Sequence, residues 1–232
     1  MKRKVLVVDI GGTRVKLLMS LLVQRSFASG PRMRPEEMMA KLKGTVSGWK
    51  FDVVSIGFPA PVRKGRIIRD PKHLGKGWAG FDFARALGKS VRVRVINDAA
   101  MQALGSYHGG DRMLFLGLGT GLGSALVWER TLLPLELGDL PYPENEIIEN
   151  YLGVPGVALL GEKKWKREVI YAVTQLKRSF IADYVVLGGG NVRRFDTFPE
   201  GIEPGQNENA FLGGLRLWET KKHSRELKWR VL

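Results

Sequence analysis

The sequence contains no cysteine among its 232 residues. This absence excludes disulfide bonds, thiolate metal sites and cysteine nucleophiles together. The sequence also lacks an apolar run near the roughly 20 residues that a membrane-spanning helix needs. Asp9 interrupts the first apolar run too early for the core of a signal peptide. We therefore expect a cytoplasmic protein, and its 44% of hydrophobic residues is typical of a soluble globular chain.

Acidic residues are scarce relative to basic ones, with 23 Asp and Glu against 37 Lys and Arg and a formal net charge of +14. A field of this sign attracts polyanions such as nucleic acid, an anionic membrane or a chain of phosphates. A host whose proteins are generally basic explains the same charge without any partner. Both interpretations stay open, because net charge bears on steering and solubility rather than on fold.

Strands and helices alternate along the chain in two similar rounds. Each round opens with a strand, a glycine turn and another strand. The pattern predicts an α/β fold with two lobes and a ligand cleft between them. We place the lobe boundary near Asn97–Asp98, with an N-terminal lobe over 1–97, a C-terminal lobe over 98–205 and a closing segment over 206–232.

Local patterns predict individual elements, among them a strand over Val5–Ile10, its hairpin partner over Val15–Val23 and a helix over 144–152. Val91, Val93 and Val95 alternate with polar residues, which predicts a strand with the valines on one face. Residues 162–180 have the spacing of an amphipathic helix. Its predicted apolar face comprises Trp165, Val169, Ala172, Val173, Leu176 and Phe180. Its predicted basic face comprises Lys163, Lys164, Lys166, Arg167, Lys177 and Arg178.

Three glycine-rich turns follow apolar strands, namely DIGGT, LGLGTGLGS and LGGGN. Glycine lets a backbone approach an anion closely, and its amides can point at a phosphate. An ordinary hairpin uses the same residues, so a purely structural role is the alternative. Spacing excludes two familiar phosphate-binding motifs. The third glycine position of G-x-G-x-x-G is occupied by Leu122 or Ser124, and the first glycine position of a Walker loop is occupied by Phe83.

The ordered motifs DIGGT, IND, GLGTGLGSAL, PLELGDL and VVLGGGN resemble the ROK family of sugar kinases. The resemblance extends from Val5 to Trp218 and is strongest to polyphosphate glucokinases. It implies a two-lobed, ribonuclease H-like fold of the actin/hexokinase type, with a final helix that returns to the N-terminal lobe. It also implies a phosphotransferase that uses ATP or polyphosphate with Mg²⁺ and a hexose as acceptor, and a homodimer is one expectation because the family often forms dimers.

The resemblance implies a donor site at the glycine turns. Asp9 is expected to hold Mg²⁺ through water. Lys16 is expected to screen phosphate charge, although an exposed strand lysine explains it equally well. The implied phosphate ligands are Asp9, Gly11, Gly12, Thr13, Lys16, Gly119, Thr120, Gly121 and Gly123. The implied neighbours of an adenosine, if a nucleotide binds, are Gly188, Gly189 and Gly190.

Asp98 stands between a predicted strand and a predicted helix. A carboxylate there can take the proton of an attacking sugar hydroxyl, or it can merely cap the helix. The resemblance implies that Asp98 is the catalytic base and also contacts the sugar. The other implied sugar ligands are Asn97, Glu136, Asp139 and His73. The alternative for Glu136 is an exposed loop residue, and the equally weighted alternative for His73 is an unrelated loop histidine.

Two positions depart from the family pattern. The family usually reads E-x-G-H where this chain has Asp139, and it usually has asparagine where this chain has His73. An imidazole can donate and accept hydrogen bonds, whereas an ionised carboxylate only accepts them. The donor motifs are intact, so these departures bear on the sugar. Glucose, another hexose and an amino sugar all stay open as acceptors, as do ATP and polyphosphate as donors.

A non-catalytic sensor that binds sugar or nucleotide is the alternative from a different functional class. A nucleic-acid partner is not expected, because such a binder needs aromatic residues interleaved with its basic ones, and Trp165 of the basic helix lies on the predicted apolar face. The repressors of the resembled family carry an N-terminal DNA-binding region. Because DIGGT begins at Asp9, we expect none here.

Overall fold

The computed structural model describes residues 3–88, 91–206, 208–221, 224 and 226–232. The strands in these residues are β1 Val5–Ile10, β2 Arg14–Leu18, β3 Gln24–Ala28, β4 Val53–Phe58, β5 Val62–Arg63, β6 Arg66–Ile67, β7 Arg92–Asn97, β8 Met113–Leu118, β9 Leu122–Trp128, β10 Thr131–Leu135, β11 Pro141–Tyr142, β12 Glu146–Ile147, β13 Tyr184–Gly188, β14 Ile202–Pro204 and β15 Arg230–Val231. The α-helices are α1 Pro35–Thr45, α2 Phe83–Leu87, α3 Asp98–Ser106, α4 Ile148–Leu152, α5 Val154–Leu160, α6 Glu162–Ser179 and α7 Asn209–Arg216. Short 3-10 helices span Leu137–Asp139, Pro143–Asn145 and Gly190–Arg194.

The first sheet has the strand order β3-β2-β1-β4-β7. Strands β1, β4 and β7 run parallel, and β2 is antiparallel to both of its neighbours. The register pairs Asp9 with Gly57 and Phe58 with Asn97. Because ligands of open α/β sheets bind outside the carboxyl ends of parallel strands, the turn after β1 and the start of α3 lie at the edge where a site is expected.

The second sheet has the order β14-β13-β8-β9-β10-β15. An antiparallel β8–β9 hairpin, closed by the Leu118–Leu122 pair, carries the second glycine turn. Strand β13 is parallel to β8, with Gly188 beside Gly117. The third glycine turn therefore emerges next to the second one.

Helices α3 and α7 share one hydrophobic cluster with strands of both sheets. They approach so closely that a Cβ atom at Gly105 would overlap the Asn209 carbonyl group of α7. Helix α7 is also tied to the first sheet, where Ser55 Oγ donates to the Gly214 carbonyl oxygen at 2.6 Å. The chain end pairs instead with the second sheet, through β15 and β10. The division of the chain into domains stays a prediction.

Several predicted elements are confirmed. Strand β1 matches residues 5–10. Val95 of β7 belongs to a buried apolar cluster, and Val91 and Val93 pack against that cluster. Helix α6 buries its predicted apolar face, with Phe180 packed at the edge. Positions 207, 222, 223 and 225 of the predicted closing segment lie outside the described residues.

Two predicted elements are wrong. The single strand expected over 15–23 ends at Leu18, and the chain returns as the exposed edge strand β3. The helix expected over 144–152 is a 3-10 turn, the short strand β12 and then α4. Within the described ranges, none of the helices combines the length and the apolar character needed to cross a membrane.

Candidate active site

Turns from both sheets surround a cavity of about 290 Å³. The turn after β1 forms one part of its lining and the turn between β8 and β9 forms another. Its volume is close to the lower end of small-molecule sites in proteins, about 300 Å³. The predicted site residues that line it are Gly11, Gly12, Thr13, His73, Asn97, Asp98, Gly119, Thr120, Gly121, Gly123, Glu136 and Gly189.

A long loop over residues 69–79 lies against the first glycine turn. A Cβ atom at Gly12 would be only 2.7 Å from His73 Cβ, so the contact requires glycine. The loop is fixed by Asp70, whose Oδ1 accepts three successive backbone N–H bonds, including that of Trp78 at 2.7 Å. Trp78 itself is fully buried. These anchors set the position of His73 and of the charged loop residues beside it.

The second glycine turn is braced from two directions. The Gly119 carbonyl oxygen accepts from Asn191 Nδ2 at 3.2 Å and from the Val154 amide at 3.2 Å. Asn191 belongs to the third glycine turn, and Val154 begins α5. The turn is thus held by elements on both sides, as a preorganised phosphate loop requires.

The third glycine turn contributes less to the cavity than predicted. Gly189 lines it, with φ of 86°. Gly188 is buried at the end of β13 against the Phe115 ring, and Gly190 begins a 3-10 helix outside the lining. The expectation of three adenosine neighbours stays a prediction.

Asn97 and Asp98 both accept hydrogen bonds from backbone amides at the start of α3. Asn97 is the N-cap of α3, and its Oδ1 accepts from the Ala100 amide at 3.0 Å. Asp98 Oδ1 accepts from the Ala99 amide at 2.8 Å. Asn97 therefore caps the helix, Asp98 is part of the cavity lining, and the role of Asp98 as a base stays a prediction.

Two carboxylates lie close together under the first turn. Burial, and then the charge of Asp9, raise the pKa of Asp98 from 3.8 to about 7. Burial also raises the pKa of Asp9, although the Lys16 ammonium 4.0 Å away opposes this. Asp9 and Lys16 lie outside the cavity lining. A cation beside Asp9 would relieve the repulsion between the two carboxylates.

The fit of Mg²⁺ to this place follows from its chemistry. Mg²⁺ is usually held by one or two carboxylates together with substrate phosphates and water. In the described part of the chain there is no group of three or more metal-binding side chains. A magnesium ion here would therefore be held by the Asp9 carboxylate together with the phosphate oxygens of a donor.

The other end of the cavity carries an ion-pair network of five side chains. Arg69 Nη2 lies 2.7 Å from Asp139 Oδ2 and 3.4 Å from Glu136 Oε2. Lys72 Nζ lies 2.7 Å from Asp139 Oδ1 and 2.5 Å from Glu149 Oε1. Hydrogen bonds from Lys72 and then Arg69 hold the pKa of Asp139 below its usual range. Burial raises the pKa of Glu136, against the opposing effect of Arg69.

No protein-family model matches the chain, but curated relatives do. A polyphosphate glucokinase from Mycobacterium tuberculosis is 27% identical over 64% of this chain and 60% of the relative. A kanosamine kinase from Amycolatopsis mediterranei is 29% identical over 59% of this chain and 46% of the relative. The chain thus spans less than two thirds of the length of these relatives.

Solved structures match nearly the whole chain. An inorganic polyphosphate/ATP-glucomannokinase from Arthrobacter sp. strain KM has a TM-score of 0.76 at 23% identity, covering 91% of this chain and 96% of that one. A ROK family glucokinase from Streptomyces griseus, in complex with glucose and AMPPNP, has a TM-score of 0.72 at 16% identity, covering 91% and 98%. The chain has the fold of the ROK-family sugar kinases.

The ROK fold confirms the two-sheet α/β architecture that the motifs implied. It also brings into the cavity charged residues that the motifs did not single out, namely Arg69, Lys72 and Glu149. Asp139 lies outside the lining and pairs with two of them. The sequence signal that could have pointed to these charged residues is Asp139 itself, because a new charge in a sugar loop requires compensating charges nearby.

Proposed function

We propose that the chain is a sugar kinase that transfers a phosphoryl group from polyphosphate or ATP to a hydroxyl of a hexose, with Mg²⁺ as cofactor. The observation that carries the proposal is the position of Asp98, whose carboxylate lines the same cavity as the glycine turns and Glu136. The activities of the curated relatives named above support the same reaction class.

Asp98 is the proposed general base. A pKa near 7 makes it a better proton acceptor at neutral pH than an ordinary aspartate. The acceptor hydroxyl gives its proton to this carboxylate as its oxygen attacks the terminal phosphorus, and the bond from that phosphorus to the bridging oxygen of the donor breaks. The Ala99 amide holds the carboxylate in place during this step.

The donor phosphates are proposed to lie on the backbone amides of the first two glycine turns. Phosphoryl transfer depends mainly on positioning and on neutralisation of charge, which amides and a cation can provide. Mg²⁺, when bound at Asp9, neutralises donor phosphate charge. We infer that the lobes over 1–97 and 98–205 close around donor and acceptor. In the segment over 206–232, helix α7 returns to the first lobe and strand β15 pairs with the second sheet.

The basic face of α6 does not by itself decide between polyphosphate and ATP as the donor. Lys163, Lys164 and Arg167 are exposed, whereas Lys166 pairs with Glu162 and Asp196. An exposed cationic face attracts a polyphosphate chain, but such a face is also typical of an ordinary amphipathic helix in contact with solvent. The proposal therefore includes both donors.

An amino sugar is the second candidate acceptor. One curated relative is a kanosamine kinase, and two carboxylate residues, Glu136 and Glu149, line the cavity. Carboxylates can bind the ammonium group of an amino sugar as well as hydroxyl groups. This candidate keeps the reaction and changes the acceptor.

The test is a panel assay. Purified protein with Mg²⁺ is mixed with ATP or polyphosphate and with each of several hexoses and amino sugars, and sugar phosphate is measured by mass spectrometry. We expect product with at least one pair and its loss when EDTA is added. Folded protein that binds sugar or nucleotide but makes no product with any pair supports the non-catalytic sensor instead.

A further inference from the structure

The ion-pair network joins the 69–79 loop to elements that follow the second sheet's hairpin. Lys72 lies in that loop, Asp139 ends the 3-10 helix after β10, and Glu149 lies in α4. The Lys72 side chain is 44% exposed and that of Asp139 is 36% exposed. Ion pairs at such exposure contribute little to stability. Stability alone therefore does not account for the Lys72–Asp139 pair at one end of a ligand cavity.

Hydrogen-bonding capacity explains the network better. Sugar hydroxyls both donate and accept, whereas Glu136 and Glu149, when ionised, only accept. Among the described residues that line the cavity, the cationic donors are Arg69 and Lys72. The Lys72 ammonium has three N–H groups, of which two are directed at Asp139 and Glu149. The third is left for an oxygen of a ligand in the cavity.

We propose that Lys72 is a specificity-determining ligand of the acceptor sugar, held in position by Asp139. Lys72 donates a hydrogen bond to one acceptor oxygen, and Asp139 keeps the ammonium beside the cavity. The pair supplies a donor at the place where the family pattern has an imidazole. This inference rests on the proposed sugar-kinase function and narrows it. The acceptor carries a neutral hydroxyl at the carbon that Lys72 contacts, because an ammonium group there would meet a like charge.

The experiment combines variants of the enzyme with variants of the substrate. The hexose that the panel assay identifies is compared with its monodeoxy and amino analogues, using wild type, Lys72→Met and Asp139→Asn, and kcat and KM are measured separately. In wild type, one deoxy analogue loses at least about ten-fold in kcat/KM, since an unmade hydrogen bond leaves a polar group unpaired. The amino analogue at the same carbon loses at least as much.

In Lys72→Met, the deoxy analogue at that carbon is used as well as the parent sugar, and the parent shows a raised KM with a smaller change in kcat. In Asp139→Asn, the penalty for the same analogue shrinks, because Lys72 is less firmly held. Lys76 is an exposed lysine of the same loop that does not line the cavity. Lys76→Met therefore serves as the matched control and keeps the wild-type pattern.

The inference is overturned if Lys72→Met keeps the wild-type penalty for every analogue. A merely structural lysine lowers activity toward all acceptors alike and removes no single penalty. Calorimetric measurement of sugar binding distinguishes a failure of the sugar-kinase proposal from a failure of the proposed role of Lys72. A wild-type protein that neither binds nor phosphorylates any sugar ends the sugar-kinase proposal and this inference with it. A wild-type protein that phosphorylates a hexose, with Lys72→Met penalties unchanged, ends this inference alone.

Discussion

Replacing Asp98 by asparagine should stabilise the protein at neutral and alkaline pH while removing its function. The folded protein holds the pKa of Asp98 near 7, above the ordinary 3.8, because of burial and of Asp9. A carboxyl whose pKa is raised by folding favours the folded state fully below pH 3.8. That contribution is lost as pH rises through 7. Asparagine is neutral at every pH, so the variant does not lose stability through ionisation at this position.

The magnitude follows from the two pKa values. One pKa unit corresponds to about 1.4 kcal/mol, so the interval from 3.8 to about 7 corresponds to about 4 kcal/mol at most. Partial access of solvent to Asp98 reduces this, and we expect a gain of about 2–4 kcal/mol in the free energy of unfolding above about pH 8. The amide oxygen of asparagine can still accept from Ala99, so the geometry is kept.

The assay is urea unfolding of wild type and Asp98→Asn at a series of pH values. The stability difference should be small near pH 4, grow through pH 6 and level off above about pH 8. Asp196→Asn is the control, because the Asp196 side chain is 97% exposed, and it should show no such growth. A difference between wild type and Asp98→Asn that does not change with pH refutes the reasoning.

Three further predictions concern packing and charge. Ser55→Ala should cost about 2–3 kcal/mol in urea unfolding, because Ser55 Oγ donates to the Gly214 carbonyl and accepts from Trp218 Nε1 at 2.8 Å; a cost below about 0.5 kcal/mol would contradict this. Gly105→Ala should lower the free energy of unfolding by at least about 2 kcal/mol, because the added methyl group forces α3 away from α7. The control Gly44→Ala, in open space on α1, should be neutral or stabilising by up to about 1 kcal/mol. Equal effects of the two substitutions would refute the close contact. Asp9→Asn should lower the pH at which Asp98 titrates, followed by NMR, and an unchanged midpoint would show that the two carboxylates do not interact.

The elements that carry the glycine turns could be predicted because apolar runs bounded by glycine are local signals. The hairpin of β8 and β9 matches the two strands expected around the second turn. Strand β3 could not be predicted, because four of its five residues are exposed, Phe27 alone is partly buried, and no apolar alternation marks it. The short elements before α4 were missed for a similar reason: backbone pairing with β11, rather than apolar spacing, determines them.

The candidate site could be predicted where a single motif provides it. Asp98 and the first two glycine turns are local motifs, and the fold brings them to one cavity. The ion-pair network could not be predicted, because Lys72 and Glu149 are 77 residues apart in the chain. The 69–79 loop, which Asp70 and Trp78 anchor, carries Lys72 to Glu149, and no spacing rule encodes that contact.

The most direct test of the proposed mechanism compares phosphoryl transfer by wild type and Asp98→Asn at neutral pH with saturating donor and sugar. The account predicts that kcat falls at least about 100-fold, because a positioned general base contributes that much or more. Sugar affinity, measured by calorimetry, should stay within a few-fold of wild type. A variant that binds sugar normally and keeps a kcat within about ten-fold of wild type would contradict the assignment of Asp98 as the base.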